Sequence, residues 1–151
     1  MKVAFAFFAE HAQLTADSRL NVLGLDLHTL QAQTFPLTLP SVCVVVKVIL
    51  EPTEREGSHK VTAQMIGPDG AKLDPYIETD VVTPPRRDPA RQGDFTLALH
   101  VSGLTFPSPG VYTFHIWVDG KELDRLEMSI QPPNQAMPAP ALTPPAVAAS
   151  G

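Results

Sequence analysis

The sequence predicts an all-β fold in which two antiparallel sheets of about eight strands in total pack as a β-sandwich. Apolar and polar residues alternate with period two along most of the chain, and no window has the i, i+3, i+4 apolar spacing of an amphipathic helix. Turns rich in Gly, Pro and Asp separate the short strands, as is typical of sandwiches. The immunoglobulin-like form fits this pattern best, without the disulfide of antibody domains, because Cys43 is the single cysteine.

The first half of the domain contributes the most apolar strands. Residues 3–9 alternate small and large apolar side chains, and residues 20–30 alternate again, so that the two form a hairpin. Gly24 marks a bulge or a close backbone approach within the second of these. Residues 35–40 have prolines near both ends, which favours an extended edge or a crossover. Residues 41–50 carry β-branched side chains at both parities and predict a central strand.

The second half of the domain predicts the remaining strands and the clearest turn. Residues 59–67 and 94–103 each alternate apolar with polar side chains, and residues 77–82 indicate a short edge strand. Residues 111–118 form the first strand of a closing hairpin, because Asp119–Gly120 favours a type I′ turn and an alternating return strand follows.

The sandwich domain is predicted to span residues 1–130, followed by a tail over residues 131–151. This tail holds six prolines, six alanines and no charged side chain. A segment of this composition buries too little apolar surface to offset the entropy lost on ordering. We therefore expect a flexible, disordered Pro/Ala-rich tail of polyproline-like character.

Charge and cysteine content narrow the class of protein. The formal net charge of −5 argues against a nucleic-acid partner, whose phosphates favour basic surfaces. A single cysteine suits a reducing compartment. The apolar run after Lys2 is short for a signal peptide and is followed at once by Glu10 and His11. No other apolar run approaches the roughly 18 residues of a membrane span, so we expect a cytoplasmic protein without a membrane partner.

No catalytic or metal-binding motif stands out. The five histidines lack HxH, HxxH and HExxH spacing, and the aspartates beside the two Asp-Gly turns are spaced as ordinary turn residues. GxSxG, phosphate-binding and dinucleotide-binding motifs are absent, and Cys43 lies in the most apolar strand, where burial raises a thiol pKa. The sequence predicts no enzyme activity, no metal and no cofactor.

Four residues are candidates for binding a partner. Trp117 and His115 lie opposite the apolar stripe of their strand, so we expect them on the outer face of a sheet. Val45 and Ile49 share one parity of the central strand. If both strands belong to one sheet, Val45, Ile49 and Trp117 form an exposed apolar patch of the kind that marks partner surfaces. The alternative is that the tail, a loop or the twist of the sandwich covers these side chains.

Three arginines are candidates for binding an anion. Arg86, Arg87 and Arg91 lie among prolines in the long loop 83–93, and arginine is suited to a bidentate grip on carboxylate or phosphate. The alternative is a solvated loop whose charges increase solubility.

Several motifs resemble a family of small bacterial β-sandwich domains of unknown function. They are RLNVLGLDL, FPLTLP, GPDG and the closing GLTFPSPGVYTFHIWVDGKEL, and the resemblance covers about residues 3–130. It implies the fold and no catalytic or binding residue.

Three functions remain open from the sequence. The first is a non-catalytic module that binds a protein partner or a second copy of itself, through the face around Trp117 or an exposed edge strand. The second is a module for a small ligand, either a glycan or an anion. The third is a structural or adaptor component of a phage-like or secretion assembly.

Overall fold

Alternating side chains place one face of each strand in a shared interior and the other face outside. We describe the fold from a computed structural model, in which residues 1–17, 19–25, 27–54, 57–83, 85, 88, 90 and 92–133 are described. In these ranges the strands are β1 (Lys2–Leu14), β2 (Leu20–Leu25), β3 (Thr29–Gln31), β4 (Leu37–Leu50), β5 (Ser58–Ile66), β6 (Lys72–Val82), β7 (Gly93–Phe106), β8 (Gly110–Val118) and β9 (Lys121–Gln131).

The strands form two sheets, which confirms the all-β prediction. Sheet A has the order β2-β1-β4-β7, and sheet B has the order β3-β9-β8-β5-β6. Neighbouring strands are antiparallel except β3 and β9, which are parallel. Among the described residues, no helix is long and apolar enough to cross a membrane. Strand β9 ends one residue past the predicted domain boundary, and residues 134–151 of the predicted tail lie outside the described residues.

The prediction of a single strand over residues 20–30 is wrong, because this segment contains two strands, β2 and β3. Strand β2 pairs with β1 in sheet A, whereas β3 lies beside β9 in sheet B, with Leu30 opposite Ile130. The backbone N–H of Ser129 donates to the carbonyl of His28 at 2.8 Å, just before β3. Apolar and polar residues continue to alternate between β2 and β3. This alternation indicates which face of a strand is buried, but it does not indicate to which sheet the strand belongs. This division gives nine described strands where about eight were predicted.

Two segments that carry prolines are longer strands than predicted. Strand β4 begins at Leu37, and Pro40 falls where β4 pairs with β7 alone, because β1 pairs only from Cys43 onward. Strand β6 begins at Lys72 and includes Pro75, and it lies at the edge of sheet B. Both prolines therefore lie where one side of the strand has no neighbouring strand. The N–H that proline lacks is not needed there for a hydrogen bond between strands.

The main core lies between the two sheets and confirms a buried central strand. Strand β4 lies between β1 and β7, and Val42, Val44, Val46 and Val48 point into this core. Aromatic rings join the two sheets: Phe8 of β1 meets Phe114 of β8 edge to face, with ring centroids 5.7 Å apart. Such contacts add to the free energy that burial of the rings supplies.

A small core lies on the outer face of sheet A. We define it by the buried residues Ala12, Cys43 and Val45, with the partly buried Phe7, Leu20, Val22 and Ala98 packed around them. The end of β1 and β2 fold across β4 to form this core. The ring of His11 on β1 thereby lies near the ring of His100 on β7, with ring centroids 5.8 Å apart. The hairpin thereby covers Cys43 and Val45 of the second apolar parity of β4 and leaves Ile49 half-buried.

Candidate functional site

The outer face of sheet B carries the two aromatic residues singled out from the sequence. Along β8, Tyr112, Phe114, Ile116 and Val118 point into the main core. Their neighbours Thr113, His115 and Trp117 therefore point to the outside, and all three are half-buried. The structure places Trp117 and His115 on the face that the alternation predicts.

The register of three strands builds a groove around Trp117. Gln64 of β5 lies opposite both His115 of β8 and Tyr76 of β6, and Thr62 lies one row further along, opposite Trp117. The resulting groove has a volume of about 360 Å³ and is lined by Thr62, Gln64, Ile66, Lys72, Tyr76, His115 and Trp117. We call it the outer groove.

Tyr76 belongs to the outer groove, and the sequence prediction missed it. It is 56% exposed and is one of the exposed large hydrophobic residues of sheet B. It was missed because Asp74 and Pro75 interrupt the alternation, so that the edge strand was predicted to begin only at residue 77. The sequence did contain a feature that could have revealed Tyr76. Tyr76 lies two residues before Glu78 and four before Asp80, and this period of two places all three side chains on one face of β6.

One side of the outer groove is held by an ion-pair cluster on β9. His115 Nδ1 lies 2.6 Å from Glu122 Oε1, and Arg125 donates from Nε and Nη2 to the same carboxylate at 2.7 and 3.0 Å. The hydrogen bond from Arg125 lowers the pKa of Glu122, burial opposes this, and the contact with His115 lowers it further. The ring of His115 stacks on Trp117 with centroids 5.5 Å apart, so the cluster also orients the indole.

The other side of the groove is held by a second carboxylate. Lys60 donates from Nζ to Glu78 at 2.9 Å, and the hydroxyl of Tyr76 donates to the same carboxylate at 2.9 Å. These hydrogen bonds lower the pKa of Glu78, and they raise the pKa values of Lys60 and Tyr76. Glu78 and Glu122 are thus each paired with a cation, whereas Lys72, which also lines the groove, has no carboxylate partner among the described residues.

The floor of the groove offers stacking surface and a hydrogen-bond donor. Within the described part of the chain, the indole N–H of Trp117 has no hydrogen-bond partner. Gln64 is already used, because its amide donates to the carbonyl of Leu73 at 2.6 Å. The arrangement can therefore stack an apolar or planar group and donate a hydrogen bond to a carbonyl.

A buried polar contact fixes the turn beyond Trp117. His59 is buried and its Nδ1 lies 2.7 Å from Asp119 Oδ2, while the N–H of Lys60 donates to Asp119 Oδ1 at 2.9 Å. Burial by itself raises the pKa of Asp119, but the hydrogen bonds with His59 and Lys60 outweigh it, and the pKa lies below its usual value. The ring of His59 stacks on Phe95 of the other sheet.

Val45 and Ile49 do not join Trp117. Their strand β4 belongs to sheet A, so the condition for one exposed patch is not met. Val45 is fully buried in the small core. Ile49 is half-buried on the outer face of sheet A, where its pairing partners are Lys2 and Asp94. The chain crosses from one sheet to the other between β4 and β5, a step that strand parity does not reveal.

Arg86, Arg87 and Arg91 lie outside the described residues, and their role in binding an anion stays a prediction. Among the described residues, no group of three or more His, Cys, Asp or Glu side chains is placed to hold a metal ion. Cys43 is a free, buried thiol; burial raises its pKa, and a hydrogen bond with the backbone of Ala12 lowers it in part.

Comparison with known proteins identifies a family. The model of a family described as a family of unknown function (DUF6941) matches residues 4–131, which confirms the resemblance to domains of unknown function. No curated protein matches the chain.

Proposed function

The chain belongs to this family of unknown function, and from that premise we propose that it is a non-catalytic protein-binding module. The outer groove receives the partner. The observation that supports this function is the pairing of Trp117 with the exposed Tyr76 in one groove, between two carboxylates whose charges are already compensated.

The composition of the groove resembles that of a protein interface. Tryptophan, tyrosine and arginine are enriched among the residues that carry most of the binding free energy, and such residues lie inside a ring of polar side chains. Here Trp117 and Tyr76 occupy the groove, while Arg125, Glu122 and Glu78 lie beside it. A partner that covers the groove buries the rings without breaking either ion-pair cluster.

The test is the substitution Trp117→Ala. Partner binding is expected to weaken by about 30-fold, the factor that corresponds to a hot-spot loss near 2 kcal/mol. The free energy of unfolding should change by less than about 1 kcal/mol, because the indole lies outside the main core. Sedimentation velocity measures self-association, and affinity capture followed by titration of the captured protein measures binding to a different partner.

Leu23→Ala is the matched control for this test. Leu23 is an exposed apolar residue on β2, on the other side of the sandwich, and its substitution should leave binding unchanged. A Trp117→Ala variant that loses much of its stability but binds as tightly as the wild type would refute the proposal.

A small-ligand module is the second candidate function. Its support is that the groove combines two aromatic rings with the polar side chains of Thr62 and Lys72, an arrangement suited to stacking a sugar ring and bonding its hydroxyls. Titration with a glycan panel should change the fluorescence of Trp117. A panel that causes no change in fluorescence or melting temperature would eliminate this candidate. The adaptor role in a larger assembly stays a prediction from sequence.

We also assign the sandwich to the immunoglobulin-like class. Strands β1, β4 and β7 facing β5, β8 and β9 match strands A, B and E facing C, F and G of that class. The hydroxyl of Tyr112 donates to the carbonyl of Ser108 at 2.6 Å and accepts from its N–H at 3.2 Å. This contact, where the chain passes from β7 to β8, has the form of a tyrosine corner and supports the assignment.

A further inference from the structure

The outer groove lies on the same sheet as the end of β9, where the domain leads into a proline-rich segment. We propose that residues 132–145 of the same chain bind in the outer groove as a polyproline II segment and cover Trp117. This inference rests on the proposed function, because it names a competitor for the surface that receives the partner.

The chemistry of the segment matches the chemistry of the groove. Residues 132–145 hold all six prolines that follow β9 and no charged side chain. Proline-rich segments bind to grooves lined by aromatic rings, and their carbonyls have no internal hydrogen-bond partner. The groove provides two aromatic rings and the indole N–H of Trp117, which has no hydrogen-bond partner among the described residues.

The strand register brings the start of the segment to the correct sheet. Ile130 lies opposite Gly110, so β9 ends beside the first residue of β8. The outward side chains of β8 then lead from the exposed Val111, through Thr113 and His115, to Trp117. A segment that turns back at the end of β9 follows this row of side chains into the groove.

The segment is long enough to reach Trp117. Trp117 lies seven positions after Gly110, which is a distance of about 23 Å along the strand at roughly 3.3 Å per residue. About four residues suffice for a reversal, and the ten residues 136–145 span about 31 Å as polyproline II. At about 3.1 Å per residue, the stretch Thr143–Pro144–Pro145 then lies near Trp117, and Pro140 lies near the end of the groove at Ile66.

A weak intrinsic affinity is sufficient for occupancy. A short tether gives a local concentration in the millimolar range, so a segment that binds with a Kd of about 1 mM occupies roughly half of the molecules. The segment and an external partner then exclude each other from Trp117.

The single tryptophan of the chain allows a direct experiment on the full-length protein. The variant P138G/P140G/P144G/P145G removes the prolines that reach the groove, and acrylamide quenching of Trp117 is measured at pH 8. The quenching constant should rise about twofold if half of the indoles are shielded in the wild type. The control variant A146G/A148G/A149G adds glycines beyond the prolines and should be quenched like the wild type.

The outcomes separate this inference from the proposed function. Equal quenching of the wild type and the proline variant overturns the binding of the segment, and protection that is lost on dilution overturns it in favour of a second copy. A synthetic peptide of residues 132–145 that restores protection to the proline variant supports it. Whether Trp117→Ala weakens partner binding is measured separately, so either proposal can fail while the other stands.

Discussion

Asp119 shows how one side chain connects a local turn to a distant strand. It has a positive φ of 51°, as the first of the two central residues of a type I′ turn requires. Its carboxylate contacts His59 and the N–H of Lys60, and its own N–H donates to the carbonyl of Lys60. The turn between β8 and β9 is therefore anchored to β5, next to Trp117.

The pKa of Asp119 predicts a dependence of stability on pH. Its folded pKa lies below the usual value of 3.8, so this carboxylate stabilises the fold above that pH, and the contribution is lost as the pH falls through the folded pKa. Asp119→Asn keeps a residue that tolerates positive φ and removes the charge. We expect it to lower the free energy of unfolding at pH 7 by about 1 kcal/mol, a modest value because Asp119 is 46% exposed.

Urea unfolding at pH 7 and at pH 2.5 measures this effect. The difference between the wild type and Asp119→Asn should shrink toward zero at the lower pH. Asp69→Asn, at the other Asp-Gly turn, is the control, since the exposed Asp69 accepts a local hydrogen bond from Ala71 and has no other partner among the described residues. It should change stability by less than about 0.5 kcal/mol. A difference that stays constant with pH would contradict the role of the charge.

At the residue scale, the sequence predicts local features well and long-range partners poorly. The turn at Asp119–Gly120 and the outward side chains of β8 follow from two neighbouring residues and from parity. The contact between His59 and Asp119 joins residues 60 positions apart. Tyr76 and Trp117 line the same groove only because β6 pairs with β5 and β5 pairs with β8. Pairing of this kind depends on topology, which no local pattern encodes.

At the scale of elements, the hairpin of β1 and β2 is the distinctive part of the fold. It leaves the plane of sheet A after Ala9, the last residue of β1 that pairs with β4, and folds across the outer face. Gly24 permits this path: its φ is +68°, and a Cβ there would lie 2.5 to 2.8 Å from the Glu10 side chain. The sequence predicted a bulge or a close approach at this glycine, and a close approach is what the structure has.

Gly24→Ala should loosen the hairpin and expose Cys43. The closest atoms include Cβ of Glu10, which cannot swing away as the end of a side chain can. We expect a loss of about 1 to 2 kcal/mol beyond the cost of positive φ, and at least a roughly 10-fold faster reaction of Cys43 with a thiol reagent. Stopped-flow labelling with a chromogenic disulfide measures the rate.

Gly103→Ala separates steric contact from backbone strain. Gly103 has almost the same φ, +67°, but a Cβ there meets no atom within 4 Å. This variant should carry the strain of positive φ alone and leave the labelling rate of Cys43 close to that of the wild type. Equal rates for the two variants would mean that the hairpin does not protect the thiol.

At the scale of the whole molecule, stability depends on the contact between the sheets more than on either outer face. Phe8→Ala removes a ring that is 4% exposed and packs against Phe114, and it should cost about 3 to 5 kcal/mol. Phe5→Ala removes a ring of the same kind from the outer face, where Phe5 is 37% exposed and stacks on Phe7, and it should cost about 1 kcal/mol.

Equilibrium unfolding in urea compares these two variants under one set of conditions. Similar losses for Phe5→Ala and Phe8→Ala would mean that the small core and the outer face of sheet A contribute as much as the main core. The sequence alone does not show that Phe8, rather than Phe5, points into the main core. Residues 3–9 are apolar on both faces of the strand, so their pattern does not identify the inner face.

The parallel pairing of β3 with β9 has a consequence for the order in which the chain acquires its structure. Leu30 lies beside Ile130, 100 residues later, so β3 has no strand to pair with until β9 has been synthesised. During synthesis, β3 therefore stays unpaired until β9 is available. Sheet A, in contrast, has all four of its strands once β7 has been synthesised. Closure of the sandwich along β3 therefore follows the synthesis of β9 and is a late step in the folding of the domain.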